Sequence, residues 1–327
     1  MSVQDKTLVV EDLKTYFFTK AGTVKAVDGV SFSIAPGKIM GLVGESGSGK
    51  SVTGLSIVAL VDEPGKVVAG RIIFRGQDLV GLSEEQMRQI RGVNISMIFQ
   101  DVMMTLNPVL RIDTQMIEAL KAHNKIAHHK AVELAATALY QVGIPSPMER
   151  LKAYPHQFSG GMRQRVVIAI AMLNEPELII ADEPTTALDV TIQAQILYET
   201  QKLCRERGTA LIWITHDLTV IAGLADYVCV MYAGKIVEQG GVNEILDRPL
   251  HPYTVGLIRS VPSRHTRGQP LYQIPGMAPS LLNLPPGCAF YERCARADQA
   301  CLEEPYDTES VEGHIVNCFH PHVESYP

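Results

Sequence analysis

The sequence predicts an α/β protein, and two observations support that prediction. Short apolar runs typical of buried strands alternate with helical patterns along most of the 327 residues. Three of these runs, Ile39–Val43, Leu178–Ala181 and Ala210–Thr215, end directly at residues that can bind a ligand. In α/β proteins the carboxyl ends of the strands carry the ligand-binding groups. We therefore expect a sheet whose strand ends form a binding site.

Composition and charge limit the classes of function. The chain is 46% hydrophobic and 20% charged, which is ordinary for a globular protein with a substantial core. A net charge of −6 argues against non-specific nucleic-acid binding as the main task, because that task needs a basic surface. Residues 1–10 lack the layout of a signal peptide, and the longest apolar run, Val166–Leu173, is shorter than the roughly 20 residues of a membrane span. We expect a cytosolic chain with no span of its own.

The first segment predicts strands with aromatic side chains near them. Leu8–Val10 and Val30–Ile34 are typical of strands. Between them lie Tyr16, Phe17 and Phe18, whose flat rings can stack on adenine. The same rings can fill the core of a β subdomain, and for each ring alone both interpretations stay open.

A glycine-rich loop follows the strand predicted at Ile39–Val43. It matches the P-loop pattern G-x-x-x-x-G-K-[ST], and Val52–Leu60 after it is typical of a helix. Glycines allow a tight turn in which consecutive N–H groups point inward at a helix N-terminus, where an anion binds. In such loops the Lys contacts the β- and γ-phosphates and the Ser hydroxyl binds Mg²⁺. A turn that binds nothing is the alternative, and the strand-then-helix context argues against it. The loop residues are Gly44, Glu45, Ser46, Gly47, Ser48, Gly49, Lys50 and Ser51.

The next segment predicts a short helix, a strand and a long helical region. Ser83–Ile90 has the pattern of a helix capped by Ser83, with Gln86 at its third position. Ile95–Gln100 predicts a buried strand that ends in an amide, at the edge where sheets bind ligands. A solvated loop amide is the alternative for Gln100. Helical spacing then extends over Asp113–Gly143.

A second candidate anion site opens the helix predicted at Arg163–Leu173. Ser159, Gly160, Gly161 and Met162 precede this helix. A Ser and two Gly at a helix N-terminus can bind an anion as the first loop does. The alternative is a plain Ser-capped helix start, which we would favour if the P-loop were absent.

Acidic and His side chains end two further strands. Asp182 and Glu183 follow Leu178–Ala181, where an Asp can hold Mg²⁺ through water and a Glu can act as a base toward the attacking water. A charged pair directly after a buried strand needs a partner, which argues against a chance acidic turn. A loop over 185–189 and a helix over 192–207 come next. Ala210–Thr215 then ends at His216, which can hydrogen-bond a terminal phosphate or be structural.

The composition changes in the C-terminal part of the chain. Six prolines between residues 261 and 287 predict a linker that crosses a surface. Four cysteines follow within 31 residues, which predicts a shared ligand, whereas Cys204 and Cys229 are predicted to be core residues. From the spacing, an iron–sulfur cluster, Zn²⁺ and unliganded thiols all stay open, and His320 or His322 could replace one ligand. The four cysteines are Cys288, Cys294, Cys301 and Cys318.

Together, these motifs resemble the nucleotide-binding subunit of ATP-binding-cassette (ABC) transporters over residues 8–257. The motifs, in order, are the P-loop, Gln100, the Ser159–Gly161 signature, Asp182–Glu183, an Ala-Leu-Asp loop that ends at Asp189, and His216. The family implies a P-loop NTPase (RecA-like) core with an antiparallel β subdomain and a helical subdomain, and it implies ATP and Mg²⁺ as ligands. One departure is Met162, because the signature reads Phe-Ser-Gly-Gly-Met where the family usually has Leu-Ser-Gly-Gly-Gln. The contribution of that Gln is therefore in doubt.

The resemblance also implies a role for each motif. Lys50 and the P-loop N–H groups as far as Val52 would hold phosphates, while Ser51, Gln100 and Asp182 would serve Mg²⁺. Glu183 would polarise the attacking water, and Gln100 and His216 complete the catalytic set, with His216 on the γ-phosphate. Phe17 fits the adenine-stacking position best, and Tyr16 is next. Asp189 would lie at the interface with a second ATPase, whose ATP the signature would contact through Ser159, Gly160, Gly161, Met162 and Gln164.

A narrower resemblance covers the C-terminal part. His251–Thr254, Gly287–Cys294 and Leu106–Pro108 look like segments of the dipeptide/oligopeptide importer ATPases. That family implies a [4Fe–4S] cluster on the four cysteines, with Zn²⁺ as the alternative. It also implies a second homologous ATPase, two permeases and an extracellular or periplasmic substrate-binding protein as partners, at the cytoplasmic face of the inner membrane. The expected division is a nucleotide-binding domain over 1–257 with a helical subdomain over about 104–160, a linker over 258–287 and a Cys-rich, iron–sulfur region over 288–327.

The expected function is ATP hydrolysis that powers the import of di- or oligopeptides. Two ATP molecules would be held between this subunit and the second ATPase, so that closure moves the permeases and hydrolysis resets them. Some relatives import nickel or other small solutes, which is the first alternative. The second is a soluble ABC ATPase of DNA repair or translation, but those usually carry two cassettes or long coiled-coil insertions. This chain has one cassette and no heptad run, and no nucleic-acid partner is expected.

Overall fold

The computed structural model of the protein describes residues 6–101, 105–185, 188–261, 272–311 and 313–322. The chain divides into two compact units. Unit 1 takes its described residues from 1–7, 35–38 and 81–212, and unit 2 from 8–34, 39–80 and 213–327. None of the helices among the described residues combines the length and the hydropathy that a membrane span requires.

Strands and helices alternate along the chain, as the sequence predicts for an α/β protein. The strands are β1 Leu8–Thr19, β2 Gly22–Ile34, β3 Ile39–Val43, β4 Gly65–Phe74, β5 Gln77–Asp78, β6 Ile95–Ile98, β7 Leu178–Asp182, β8 Ala210–Thr215, β9 Tyr227–Tyr232, β10 Lys235–Gly241, β11 Asp307–Val311 and β12 His314–Asn317. The α-helices are α1 Lys50–Ile57, α2 Glu84–Ile90, α3 Ile112–Lys121, α4 His128–Gln141, α5 Pro147–Arg150, α6 Gly160–Met172, α7 Val190–Arg207, α8 Leu218–Leu224, α9 Val242–Asp247 and α10 Pro252–Arg259.

Unit 2 contains an antiparallel sheet with the strand order β2-β1-β4-β5. Its first two strands form a long hairpin in which Thr19 pairs with Gly22. β1 is much longer than the strand predicted at Leu8–Val10, so Tyr16, Phe17 and Phe18 lie within a strand rather than between two strands. The pairing with both β2 and β4 explains the extension, because it satisfies the backbone of β1 on its two edges. Helix α1 contacts this sheet, where the hydroxyls of Thr15 and Ser56 are 2.8 Å apart.

A second sheet in unit 2 joins the C-terminal residues to the strand before the P-loop. Five of its strands lie wholly in unit 2, in the order β11-β12-β10-β9-β3, with β3 and β9 parallel and the other pairs antiparallel. The β9–β10 hairpin turns at Ala233 and Gly234, which have φ values of 48° and 86°. Strands β11 and β12 come from the Cys-rich region and were not predicted. The domain boundaries themselves stay a prediction.

Unit 1 contains the parallel pair β6 and β7, together with helices α2 to α7. Every residue of β7 is buried. The predicted cap of α2 is confirmed, since Ser83 accepts from the Gln86 N–H and the Gln86 side chain accepts from the Ser83 N–H. Helices α3 and α4 share a small core around Ile117, Leu120 and Ala131.

The prediction of a single helical region over Asp113–Gly143 is wrong in one respect, because the structure has two helices there. α3 ends at Lys121 and α4 begins at His128. The intervening polar residues are held by Asn124, whose side chain donates to the Leu120 carbonyl and to Asn174 Oδ1. Helical spacing of apolar residues does not reveal such a break, because the two helices place their apolar faces on the same core.

Candidate active site

The glycines of the P-loop are required both by space and by backbone conformation. A Cβ on Gly44 would lie 2.1 Å from the carbonyl oxygen of Met231, and one on Gly49 would lie 2.2 Å from that of Ala26. Gly47 and Gly49 also have φ values of +79° and +104°, which L side chains rarely adopt. The loop therefore needs glycine at these positions to make its tight turn between β3 and α1.

The P-loop leads into a helix N-terminus whose first N–H groups have no partner within the helix. α1 begins at Lys50, and its first turn contains no acidic side chain. The Lys50 ammonium is buried and donates to the carbonyl oxygens of Gly44 and Glu45, both at 2.8 Å. The ammonium and the helix terminus together give a local positive potential that suits phosphate. The remaining loop residues are Ser46, exposed at the tip, Ser48, buried, and Ser51 and Val52, partly exposed in the first turn.

Glu45 differs from its P-loop neighbours, because its backbone N–H and its carboxylate both bind residues from the C-terminal part of unit 2. Its N–H donates to the Tyr253 hydroxyl at 2.8 Å. Its carboxylate accepts two hydrogen bonds from the Arg293 guanidinium, at 2.8 and 3.0 Å. Glu45 belongs to the predicted ATP-binding set, whereas no sequence pattern pointed to its partners Tyr253 and Arg293.

Tyr16 and Phe17 have different surroundings, as neighbours on a strand should. The Tyr16 hydroxyl donates to Asp28 at 2.6 Å. Burial, together with that bond and the Asp28 charge, raises the pKa of Tyr16 to about 12. The Phe17 ring instead lies over Gly65, where a Cβ would come within 2.5 Å of it. The Tyr16 hydroxyl is thus already hydrogen-bonded to a carboxylate, whereas the Phe17 ring packs against the backbone at Gly65.

The acidic pair lies at the end of β7 in unit 1. Asp182 is buried as the last residue of the strand, and Glu183 follows with φ 44°. A non-glycine residue in this region is strained, typically by about 1–3 kcal/mol, and such residues cluster at functional sites. Gln100 Nε2 donates to Glu183 Oε2 at 3.4 Å. Gln100 and Glu183, which were predicted at the ends of two separate strands, are therefore in contact.

The signature residues lie beside Asp189. The Ser159 hydroxyl caps α6 by accepting from the Met162 N–H, and the Asp189 carboxylate caps α7 by accepting from the Ile192 N–H at 2.9 Å. A Cβ on Gly161 would lie 2.5 Å from Ile192, so glycine lets the two helix starts approach. The Ala-Leu-Asp loop is described only in part, because residues 186–187 lie outside the described residues.

The other signature residues differ in exposure. Gly160 is exposed and Met162 is partly exposed at the start of α6. Gln164 is 1% exposed, so its side chain packs inside unit 1 rather than on the surface where a second subunit could contact it. In unit 2, His216 is exposed after β8, and Asp217 beside it caps α8 by accepting from the Thr219 N–H.

The four C-terminal cysteines line one small cavity in unit 2. Backbone N–H groups point at two of the sulfurs, from Arg296 to Cys294 at 3.4 Å and from His320 to Cys318 at 3.3 Å. Burial raises the pKa of Cys288 and Cys294, and it raises that of Cys318 to about 11. Thiols that stay protonated in an apolar cavity are poor nucleophiles, but a metal would deprotonate them, and N–H donors to sulfur are typical around metal-bound thiolates. The shared cavity and these donors fit an iron–sulfur cluster, whereas no three of the four cysteine sulfurs lie within 4.8 Å of one another, as the ligands of a single ion would.

A mixed ligand set borders this cavity. His320 Nε2 and Asp298 Oδ1 are 2.9 Å apart, and Cys301 Sγ is 3.8 Å from the same Asp298 oxygen. The three ligand atoms lie within 4.8 Å of one another. His320 was predicted as a replacement ligand, whereas Asp298 was missed because nothing in its spacing distinguishes it. Cys204 and Cys229 are buried in the core as predicted, and burial raises the pKa of Cys204 to about 12.

Comparisons with known proteins agree with these observations. The family model "ABC transporter" matches residues 27–186, and the model "Oligopeptide/dipeptide transporter, C-terminal region" matches residues 237–301. The chain is 50% identical over 317 residues to the dipeptide transport ATP-binding protein DppD of Bacillus subtilis, an alignment that covers 96% of this chain and 95% of that protein. The chain belongs to the ABC transporter family. It is also 45% identical over 317 residues to the oligopeptide transport ATP-binding protein OppD of Escherichia coli, covering 97% and 94% of the two chains.

Solved structures place this ABC subunit in the expected fold class. The dimeric structure of MJ0796, a bacterial ABC transporter cassette, is 25% identical with a TM-score of 0.65, and the alignment covers 72% of this chain and 98% of that one. The cbiO1 structure from Clostridium perfringens, part of the cbiONQ transporter complex, is 26% identical with a TM-score of 0.64 and coverages of 74% and 90%. The predicted P-loop NTPase core is confirmed, and the ABC subunit is an ATPase.

Proposed function

We propose that this ABC subunit hydrolyses ATP to power the import of di- or oligopeptides. The observation that supports this most strongly is similarity along nearly the whole chain, including the C-terminal region, to proteins named for dipeptide and oligopeptide transport. An importer for nickel or another small solute, and a soluble ABC ATPase of DNA repair or translation, are not favoured by these relatives.

The proposed partners are a second homologous ATPase and two membrane permeases, with a binding protein that delivers the peptide outside. The subunit would then lie at the cytoplasmic face of the inner membrane. The test is purification of the tagged chain from detergent-solubilised membranes. We expect two permeases to co-purify, and ATP hydrolysis by the reconstituted complex should increase when peptide and its binding protein are added. ATP hydrolysis that is stimulated by nickel instead of peptide would contradict the proposal. Purification of the tagged chain without any permease would also contradict it.

We propose the following division of labour within the ATP site. The P-loop and Lys50 bind phosphates, while Ser51, Gln100 and Asp182 hold Mg²⁺. Glu183 orients and polarises the attacking water, and the strained backbone and the Gln100 contact support a fixed position for its carboxylate. His216 binds the γ-phosphate, and Phe17 stacks on adenine. Ser159, Gly161 and Asp189 serve ATP bound by the second subunit, and the contact of their two helix starts supports that grouping.

We also propose that the four cysteines hold an iron–sulfur cluster, with Zn²⁺ as the alternative. The shared cavity and the N–H donors to sulfur support a metal-bound state. The chain should purify anaerobically with iron and with broad absorption near about 400 nm. Cys318→Ser should lose most of the iron, whereas Cys204→Ser, a buried cysteine of unit 1, should keep it. Colourless protein with stoichiometric zinc in its place would contradict the cluster.

A further inference from the structure

The Cys-rich region and the P-loop are joined within unit 2 by Arg293. Its guanidinium makes a bidentate pair with Glu45 at 2.8 and 3.0 Å. It also donates to the Pro275 carbonyl oxygen at 2.9 Å and to the Tyr232 hydroxyl at 3.2 Å. The Arg293 side chain is 7% exposed and that of Glu45 is 30% exposed. A largely buried, planar, multiply bonded guanidinium fixes the orientation of its carboxylate partner more firmly than a single surface ion pair can.

A second contact fixes the main chain of the same loop residue. Because the Glu45 N–H donates to the Tyr253 hydroxyl, side chain and backbone of Glu45 are both held. The Tyr253 ring packs against Tyr232 and Phe290, with centroid distances of 4.6 and 5.5 Å. The carbonyl oxygen of Glu45 in turn accepts from the Lys50 ammonium at 2.8 Å. Glu45 therefore connects the C-terminal residues to the phosphate-binding Lys.

Arg293 is also fixed relative to two of the cysteines. It is the last residue of the short 3-10 helix Tyr291–Arg293, and Cys294 follows directly. The Tyr291 N–H donates to the Cys288 carbonyl at 3.0 Å, and the Cys294 N–H donates to that of Tyr291 at 3.3 Å. A change in the position of Cys288 or Cys294 must therefore move the backbone that carries Arg293.

We infer that Arg293 is a positioning residue for the P-loop, and that through it the cysteine site controls how tightly this subunit holds ATP. The inference rests on the proposed phosphate-binding role of the P-loop. Arg293 would act through Glu45 and not by contacting nucleotide or metal itself. Binding at the cysteine site then changes the affinity for ATP, and ATP changes the affinity at the cysteine site by the same factor, because linked binding equilibria are reciprocal.

The test measures the dissociation constant for ATP by equilibrium binding of a fluorescent nucleotide in the purified full chain. Couplings of this kind typically change affinity 5- to 150-fold, so we expect Arg293→Gln and Glu45→Gln each to weaken binding about tenfold. The double variant should bind no more weakly than either single variant, because both remove the same pair. Arg293→Lys, which keeps the charge but loses the bidentate geometry, should lie between wild type and Arg293→Gln. Arg248→Gln removes an exposed positive charge elsewhere in unit 2 and should leave the affinity unchanged.

Several outcomes would overturn the inference. Wild-type affinity in Arg293→Gln would do so, and so would a double variant that shows the sum of the two single losses. Cys294→Ser should also weaken ATP binding, but it should have no further effect in the Arg293→Gln background, and an equal effect in both backgrounds would contradict the cysteine link. Lys50→Ala separates the two proposals. If Lys50→Ala binds ATP as wild type does, the proposed role of the P-loop fails, whereas a loss of binding in Lys50→Ala with normal binding in Arg293→Gln refutes only the role of Arg293.

Discussion

At the scale of single residues, Glu183 shows how backbone and side chain cooperate. It directly follows a fully buried strand and has φ 44°, a conformation that most side chains avoid. Its carboxylate contacts the Gln100 amide at 3.4 Å. A strained residue persists only where the surrounding structure determines its conformation. The end of β7 therefore holds this carboxylate in place, which the proposed role of orienting a water molecule requires.

Replacing Glu183 tests whether this carboxylate acts on the attacking water. Glu183→Gln keeps the size and one acceptor oxygen but removes the base, so we expect near-normal ATP binding with turnover lowered by about 10²- to 10⁴-fold. The measurement is ATP hydrolysis by the assembled complex together with nucleotide affinity. Glu206→Gln, on the exposed face of α7, is the matched control. Near-normal hydrolysis by Glu183→Gln would exclude the proposed role.

At the scale of elements, the sequence predicts what depends on nearby residues. The capping box of α2 and the P-loop between β3 and α1 both have short patterns with a local physical reason, and both are present. Pairing between distant segments has no such pattern. Strand β12 pairs with β10, and Arg293 contacts Glu45, which is 248 positions away in the sequence. Both contacts depend on tertiary packing, which the spacing of residues in the sequence does not reveal. The candidate ATP-site residues were therefore predictable, whereas their structural support was not.

Helix α10 depends on an unusual cap, which makes its stability sensitive to pH. His251 is buried, and its Nδ1 accepts from the Tyr253 N–H at 3.0 Å. Burial lowers the pKa of His251 to about 4, although the nearby Glu238 charge acts in the opposite direction. The unfolded chain binds a proton at His251 near pH 6.5, whereas the folded chain resists it until about pH 4, so stability falls as pH decreases through this window.

The expected size of this effect follows from the two pKa values. Between pH 7 and pH 5, the contribution of His251 to the free energy of unfolding should fall by about 2 kcal/mol. Urea unfolding at the two pH values measures it. His251→Asn keeps a capping acceptor without titrating, so its stability should depend less on pH than that of the wild type, whereas His129→Asn, an exposed residue of α4, should behave as the wild type does. If the free energy of unfolding depends on pH equally in the wild type and in His251→Asn, burial does not keep His251 in its neutral form.

At the scale of the whole molecule, one chain carries one P-loop and one Ser-Gly-Gly signature. On the proposed function these two features serve different ATP molecules, because the signature of each subunit completes the site of the other. The two contributions of this chain should then be separable. Loss of the P-loop should remove one site, and loss of the signature should remove the other.

A pair of substitutions in the assembled complex tests this separation. Lys50→Ala should abolish hydrolysis at this subunit's own P-loop and leave the turnover at the P-loop of the second ATPase. Adding Ser159→Arg, which places a large side chain at the exposed start of α6, should then abolish that remaining turnover, because the signature no longer meets the second ATP. Arg163→Ala, one turn further along α6, controls for damage to the helix and should keep the turnover. If Lys50→Ala with Ser159→Arg retains the hydrolysis of Lys50→Ala alone, this chain's signature does not serve its partner's ATP, and the two sites are not composite.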